Sequence, residues 1–305
     1  SSGIGVPNAQ VVIYNTDFTF STTTDNNGNF NINSMYEGQY TVVAGQWGYV
    51  TACTDIYIDP NTNLTITLDE GYYDDFTFDF GWTVSGGITQ SSDGIWERGN
   101  PEGTDRQGVL YNPEDDINND CSENAYVTGL LAGSAVGDYD VDDFNTILTS
   151  PVFDLSNNGT YYINYYVWFQ NDFPWGSTPE DSLTVSISNG LNTVVLQTIT
   201  ANSPNLGQWH YNSFELSQYI TLTADMQLSI ETADWDGLGG HWVEAGFDKF
   251  EITSSPLASI NILSEKKDLI KIIDLLGREV NTIGKSPLIY IYSDGTVEKR
   301  INLRK

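Results

Sequence analysis

The chain has very little positive charge. Only 12 of its 305 residues are Lys or Arg, against 41 Asp and Glu, and the formal net charge is −29. Nine of the twelve basic residues lie in residues 254–305, so residues 1–253 carry only Arg98, Arg106 and Lys249. Such a body repels nucleic acid and anionic membranes and attracts cations. We therefore exclude nucleic acid as a partner.

Histidine and long apolar runs are also scarce. No apolar run approaches the ~20 residues that span a bilayer, which predicts no membrane span. The two histidines, His210 and His241, each stand beside a Trp in strand-like surroundings. No His-Glu-x-x-His spacing and no Gly-x-Ser-x-Gly motif occurs, so the sequence favours strand residues over catalytic ones and predicts no catalytic site.

The two cysteines, Cys53 and Cys121, fall in different predicted domains. Export would permit a disulfide, but two cysteines define no framework of bonds. The sequence favours two separate thiols and leaves a disulfide open.

Residues 1–70 consist of short segments of alternating polarity. Period-two alternation with β-branched residues and Asn- or Gly-rich turns is typical of strands, and the predicted strands are 11–14, 28–32, 39–44, 54–58 and 64–68. The motifs Gly5-Val-Pro-Asn-Ala-Gln-Val11, Thr23-Thr-Asp-Asn-Asn-Gly-Asn-Phe30 and Gly38-Gln-Tyr40 resemble a carboxypeptidase regulatory-like domain. The resemblance implies a transthyretin/Ig-like sandwich that accompanies peptidases or receptors and has no active site of its own.

Residues 71–253 form a second, larger predicted β-unit. Its predicted strands are 76–84, 161–169, 183–188, 193–200, 227–231 and 247–252, separated by long Asn-, Asp- and Gly-rich connections. Three segments of this unit are informative: Ile95-Trp-Glu-Arg-Gly-Asn-Pro101, Leu148-Thr-Ser-Pro-Val-Phe-Asp-Leu155 and Val243-Glu-Ala-Gly-Phe-Asp248. They resemble the jelly-roll domain that follows zinc carboxypeptidases in type 9 exported proteins. The fold class we predict is thus all-β, a sandwich followed by a jelly roll.

Residues 254–305 comprise a linker and a third small β-sandwich. Three segments are informative here: Ile273-Asp-Leu-Leu-Gly-Arg-Glu-Val280, Tyr290-Ile-Tyr-Ser-Asp-Gly295 and the basic C-terminal residues 299–305. Together they resemble a C-terminal sorting domain of the type 9 secretion system, in a short version without a Tyr-Pro-Asn-Pro lead-in. The resemblance makes Asp274, Gly277, Arg278, Tyr290, Asp294, Gly295 and Lys299 the sorting-signal residues. It implies a translocon and an outer-membrane shuttle β-barrel as partners, and a secreted or cell-surface location in a Gram-negative bacterium.

Three acidic groups are candidate metal ligands. The loop Asp116-x-Asn118-x-Asp120 is not an EF-hand, Asp140 and Asp142 alternate in the next loop, and Glu244 and Asp248 share one face of a predicted strand. The jelly-roll resemblance implies a structural calcium ion where the first and last strands meet. The alternative for each group is a solvated acidic surface.

Loop aromatics give a second kind of candidate. Trp175 and Trp235 lie in predicted loops, where exposed rings stack on sugars, although large aromatic residues also cap the ends of a core. The first interpretation is therefore a non-catalytic C-terminal region of an exported protein, a metallopeptidase on resemblance, of which this chain would be a fragment. The alternatives are a carbohydrate-binding or adhesive surface protein that uses the jelly roll, with surface glycans as partners, and a cryptic hydrolase.

Overall fold

The structure is a computed structural model that describes residues 3–86, 94–118, 120–131, 133–142, 144–172, 180–234, 240–255, 269–274, 278–280, 288–292 and 297–300. The regular secondary structure of these residues is almost entirely β-strand, which confirms the predicted all-β class. The strands are β1 (Gln10–Tyr14), β2 (Thr19–Thr23), β3 (Gly38–Gly45), β4 (Ala52–Ile58), β5 (Tyr72–Asp74), β6 (Thr83–Gly86), β7 (Trp96–Gly99), β8 (Thr104–Arg106), β9 (Val109–Asn112), β10 (Ala125–Thr128), β11 (Phe144–Thr149), β12 (Tyr162–Asp172), β13 (Ser182–Ser188), β14 (Thr193–Thr200), β15 (His210–Glu215), β16 (Gln227–Asp234), β17 (Trp242–Thr253), β18 (Leu269–Asp274), β19 (Leu288–Tyr292) and β20 (Val297–Arg300).

The chain divides into two compact units, Ser1–Leu257 and Ala258–Lys305. Helical structure in the described ranges amounts to one turn of 3-10 helix, Leu216–Gln218. Across those ranges, no helix has both the length and the apolar character needed to cross a membrane.

The first β-sheet has the order β2-β1-β3-β4, with antiparallel neighbours. Alternate residues of β1 and β3 point to one face and form a small core of Val11, Ile13, Tyr40, Val42 and Ala44. The predicted strands 28–32 and 64–68 are irregular in the structure. Their alternating apolar side chains still pack on this core, because Phe30, Ile32, Leu64, Ile66 and Leu68 reach it without a ladder partner.

The larger part of the first unit is a sandwich of two antiparallel sheets. One has the order β15-β12-β17-β10-β7, with β5 also paired to β17, and the other has the order β14-β13-β16-β11-β6. Inward-facing residues of both sheets fill a single core, which includes Leu148, Tyr165, Phe169, Leu183, Ile187, Ile230, Phe247 and Phe250. Alternate residues of β11, β13 and β16 are buried, because one face of their sheet packs against the other sheet.

The predicted strand 76–84 is wrong over most of its length. The chain leaves one sheet of the sandwich after β5 and enters the other sheet only at β6, with Phe76 at φ 61° and Gly81 at φ 94°. The carboxylate of Asp74 holds this turn, since it accepts hydrogen bonds from the Phe76 amide at 2.9 Å and the Trp82 indole at 2.8 Å. Burial raises the pKa of Asp74 to about 8.

The first sheet and the sandwich are joined by covalent and packed contacts. Cys53 on β4 and Cys121 in the β9–β10 loop form a disulfide with a Cα–Cα distance of 6.3 Å, so the interpretation as separate thiols is wrong. The Tyr14 hydroxyl donates to the Cys121 carbonyl at 3.2 Å. Trp47 stacks on Phe250 with ring centroids 5.6 Å apart, and its indole donates to the Val152 carbonyl at 2.7 Å. These contacts make Ser1–Leu257 one body.

The second unit contains one antiparallel sheet in the order β18-β19-β20. Leu288 is buried, and Ile272 and Val280 pack against it. β19 and β20 pair antiparallel through Ile291 and Val297, and the hairpin turn that the sequence predicts at Ser293-Asp-Gly295 lies outside the described residues.

Candidate functional site

The first acid cluster consists of Asp116, Asp120 and Asp248. One carboxylate oxygen from each lies within 4.8 Å of the others. Asp248 stands on β17 and is fully buried, and its two oxygens accept hydrogen bonds from the Ile117 amide at 2.9 Å and the Lys249 amide at 2.7 Å. The first of these bonds pins the β9–β10 loop over the strand.

Two tryptophans hold the start of this loop and the end of β9. Trp168 on β12 donates to the carbonyl of Tyr111 on β9 at 2.7 Å, and Trp209, directly before β15, donates to the carbonyl of Asp115 in the loop at 2.9 Å. The loop positions of Asp116 and Asp120 are therefore set by the sheet beneath them, which pre-organises the cluster.

Repulsion and burial raise the pKa of each member of the first acid cluster. The pKa of Asp116 rises to about 7, through burial and then the charges of Asp120, Asp115 and Glu123. The pKa of Asp120 rises to about 6, through burial and then the charge of Asp75, while Lys249 acts in the opposite direction. Burial, followed by the charges of Asp120 and Asp116, raises the pKa of Asp248 well above its usual range.

The donor set of the first acid cluster fits a hard cation. Oδ2 of Asp116 and Oδ2 of Asp120 are buried and have no hydrogen-bond partner. A cavity of about 360 Å³ beside them is lined by further oxygen-bearing side chains, among them Asn118, Asp115, Ser122 and Glu123. Calcium is bound by six to eight such oxygens. The structure thus brings four of the predicted ligands, Asp116, Asn118, Asp120 and Asp248, to one place.

The remaining predicted ligands lie elsewhere. Glu244 and Asp248 share a face of β17, but four residues of a strand span about 13 Å, which is too far for one ion. Glu244 instead accepts a hydrogen bond from the Thr128 hydroxyl at 3.0 Å. Burial and then the charge of Asp140 raise the pKa of Glu244 well above its usual range.

The second acid cluster consists of Asp140, Asp142, Asp181, Asp234 and His241. Asp140 and Asp142 flank Val141, which points into the core. A Cβ atom on Gly240 would lie 2.9 Å from Oδ1 of Asp142 and closer still to Oδ2 of Asp234, so these two carboxylates face each other across a glycine. His241 Nδ1 lies 2.5 Å from Oδ2 of Asp181.

Sequence reasoning assigned no site role to Asp181, Asp234 or His241. Each stands at the end of a different strand, β13, β16 and β17, and only the strand pairing brings them together. These three residues lie two to six positions outside the predicted strands 183–188, 227–231 and 247–252, so no local signal identified them. The other histidine, His210, is exposed on β15.

The aromatic and sorting residues are only partly described. Trp175, Trp235, Gly277, Asp294 and Gly295 lie outside the described residues, and for Tyr290 and Lys299 the structure describes the strand but not the side chain. Asp274 and Arg278, which are both described, bond to each other through three hydrogen bonds. The Asp274 carboxylate accepts from the Arg278 amide at 2.9 Å and from its Nε at 2.7 Å, and the Asp274 amide donates to the Arg278 carbonyl at 2.9 Å.

Residues 1–69 match the family model of the carboxypeptidase regulatory-like domain, which confirms this part of the predicted architecture. The match covers less than a quarter of the chain, and no curated protein matches the chain.

Solved structures with a similar fold include adhesin and carbohydrate-binding domains. The K1 cleaved adhesin domain of Lys-gingipain from Porphyromonas gingivalis W83 is 16% identical over 60% of this chain and 98% of that one, with a TM-score of 0.37. TmCBM61, solved with β-1,4-galactotriose, is 13% identical over 59% of this chain and 91% of that one, with a TM-score of 0.35. At these TM-scores neither likeness carries an argument about function.

Proposed function

We propose that this chain is a non-catalytic region of a secreted or cell-surface protein, exported through the type 9 secretion system. The observation that supports it best is the disulfide between Cys53 and Cys121, because disulfides persist in oxidising compartments outside the cytosol. The concentration of acidic residues in the first 253 residues keeps such a body soluble there. A metallopeptidase parent, which the resemblance implies, is part of the same proposal.

The C-terminal unit acts as the export address in this proposal. Its support is the sequence resemblance together with the hydrogen bonds between Asp274 and Arg278. The Arg278 side chain is 74% exposed, so its ion pair adds little to stability and is available to a receptor. Recognition by strand geometry and by this ion pair would involve the translocon and the outer-membrane shuttle.

Removing this unit is expected to block secretion. A signal-bearing chain that ends at Ser254 should accumulate in the periplasm, whereas the full chain should reach the surface, as measured by protease accessibility on intact cells. The same tail fused to an unrelated signal-bearing protein should carry that protein out. Normal surface delivery of the truncated chain would show that the tail is not the address.

A matched pair of variants separates recognition from folding. Asp274→Arg and Arg278→Asp each destroy the ion pair, while the two together restore it with reversed charges. If export depends on the ion pair alone, the double variant should recover secretion. If it depends on the hydrogen bond that the Asp274 carboxylate accepts from the Arg278 amide, the double variant should fail, because an arginine side chain has no acceptor. If it depends on the identities of the two residues, all three variants should fail.

We also propose a structural calcium ion for the first acid cluster. The support is the pair of buried, unpartnered oxygens on Asp116 and Asp120 beside the pinned carboxylate of Asp248. Calcium is available at millimolar concentration outside the cell, which suits an oxygen site of this kind. The ion would neutralise repulsion between β17 and the β9–β10 loop and would take no part in a reaction.

A second candidate function is sugar binding or adhesion. One observation favours it, namely that the rings of Phe18 and Tyr36 stack with centroids 4.7 Å apart while 40% and 63% of these residues are exposed. Exposed rings of this kind bind the apolar faces of sugars.

Loss of these rings is expected to weaken any glycan binding. On a glycan array, Tyr36→Ala, Trp175→Ala and Trp235→Ala should reduce binding about tenfold where the ring forms the platform, since one stacked ring contributes roughly 1–1.5 kcal/mol. Leu191→Ala is the control, because Leu191 is 88% exposed and carries no ring. Binding that survives all three ring variants would rule out stacking on these three rings.

A further inference from the structure

The second acid cluster is assembled by the strand register at one end of the sandwich. β13 pairs with β16 through Leu183 and Thr232, and continuing this register brings Asp181 opposite Asp234. β11 pairs with β16 through Phe144 and Asp234, so the segment with Asp140 and Asp142 arrives at the same end. His241 directly precedes β17. Four separate segments therefore converge there.

The imidazole of His241 is at the centre of this convergence. Its Nδ1 lies 2.5 Å from Oδ2 of Asp181 and 3.9 Å from Oδ1 of Asp234. The three side chains are 13%, 9% and 0% exposed. One ligand atom from each lies within 4.8 Å of the others. Donor atoms bonded to one metal ion at about 2.1 Å lie roughly 3–4 Å apart, so small adjustments would suffice.

An independent observation indicates that this arrangement suits a cation. Asp140 is only 3% exposed, and neither of its carboxylate oxygens has a partner in good hydrogen-bond geometry; the amides of Asp140 itself and of Val243 lie near enough only to lower its pKa. Buried carboxylates without partners are rare because an unpaired charge in the interior is costly. Burial and then the charges of Asp142 and Asp234 raise the pKa of Asp140 to about 8, which places Asp140 within electrostatic reach of the cluster.

We infer that the second acid cluster binds a divalent first-row transition ion, with His241 as its nitrogen ligand and Asp181 and Asp234 as oxygen ligands. Asp140 and Asp142 supply the further negative charge around the ion. Zn²⁺ and Mn²⁺ both accept one imidazole with carboxylates, whereas calcium takes oxygen ligands only. The all-oxygen first acid cluster and this mixed cluster would thus select different ions.

The nitrogen donor makes the inference testable with few variants. The chain has two histidines, and His210 on β15 is a matched control. Zn²⁺ binding to the full chain should be measured by calorimetry in millimolar calcium, which fills oxygen-only sites. We expect one Zn²⁺ per chain, a loss of affinity of at least about tenfold in His241→Gln and in Asp234→Asn, and unchanged binding in His210→Gln.

A spectroscopic measurement guards against variants that merely misfold. Cu²⁺ bound to the unaltered chain should show electron-spin coupling to one imidazole nitrogen, which persists in His210→Gln and disappears in His241→Gln. The inference is overturned if Zn²⁺ binds His241→Gln as tightly as the unaltered chain, or if calcium displaces Zn²⁺ at equal concentration. It is also overturned if no Zn²⁺ or Mn²⁺ binds, since His241 and Asp181 would then form only an ion pair.

Discussion

Replacing both cysteines by serine is expected to lower the free energy of unfolding of the Ser1–Leu257 body by about 2–5 kcal/mol. The bond between Cys53 and Cys121 closes a loop with a sequence separation of 68. A loop of that length restricts the unfolded chain strongly, and the chain-entropy relation gives about 4 kcal/mol. The double variant should therefore melt several degrees below the unaltered chain, as measured by calorimetry.

A reductant distinguishes the bond from the substituted side chains. It should lower the melting temperature of the unaltered chain toward that of the double variant, and it should leave the double variant unchanged. Mass spectrometry after alkylation should find no free thiol before reduction. Two alkylated thiols in the untreated protein would contradict the disulfide and remove the main support for an oxidising location.

Removing calcium is expected to make the stability of the jelly roll fall as pH rises. The folded-state pKa values of Asp116 and Asp120 are about 7 and about 6, above the ordinary value of 3.8. Between these values the folded chain holds protons that the unfolded chain has released, so stability is fully present below about pH 4 and is lost as pH rises through about 6 to 7. In chelator the melting temperature should therefore drop between about pH 5 and about pH 8.

Calcium should reverse this trend because it binds the ionised carboxylates and competes with protons. At one hundred times its dissociation constant the ion stabilises by about 2.7 kcal/mol, which corresponds to roughly 5–10 °C for a domain of this size. Asp116→Asn with Asp120→Asn should remove both the response to calcium and part of the pH dependence. Glu102→Gln is the control, since Glu102 is an exposed acid outside the cluster. A melt that is identical in chelator and in calcium at about pH 8 would contradict the calcium site.

The sequence predicted those features that depend on neighbouring residues. Alternating polarity located most strands, and the spacing of Asp116, Asn118 and Asp120 indicated a shared loop because residues so close along the chain cannot be far apart in space. The strand prediction failed where the backbone conformation differs from the one that the local sequence pattern favours. Residues 76–82 have strand-like composition, but the bonds from Asp74 to Phe76 and Trp82 hold them in a turn.

Features that depend on long-range pairing could not be read from the sequence. Asp181, Asp234 and His241 meet only because β13 pairs with β16 in one register out of many. The disulfide likewise requires that β4 and the β9–β10 loop be brought together by packing that no short motif encodes. In both cases the informative distance is measured through space, between segments that share no sequence pattern.

The position of Trp47 limits how this protein can be divided. The family match assigns Trp47 to the regulatory-like domain, yet its ring lies on Phe250 and its indole bonds to Val152, both in the jelly roll. A cut near residue 70 would expose apolar surface on both halves and would separate the two cysteines. The two β-units would therefore have to be transplanted, and inherited, as a pair, although the family boundary lies between them.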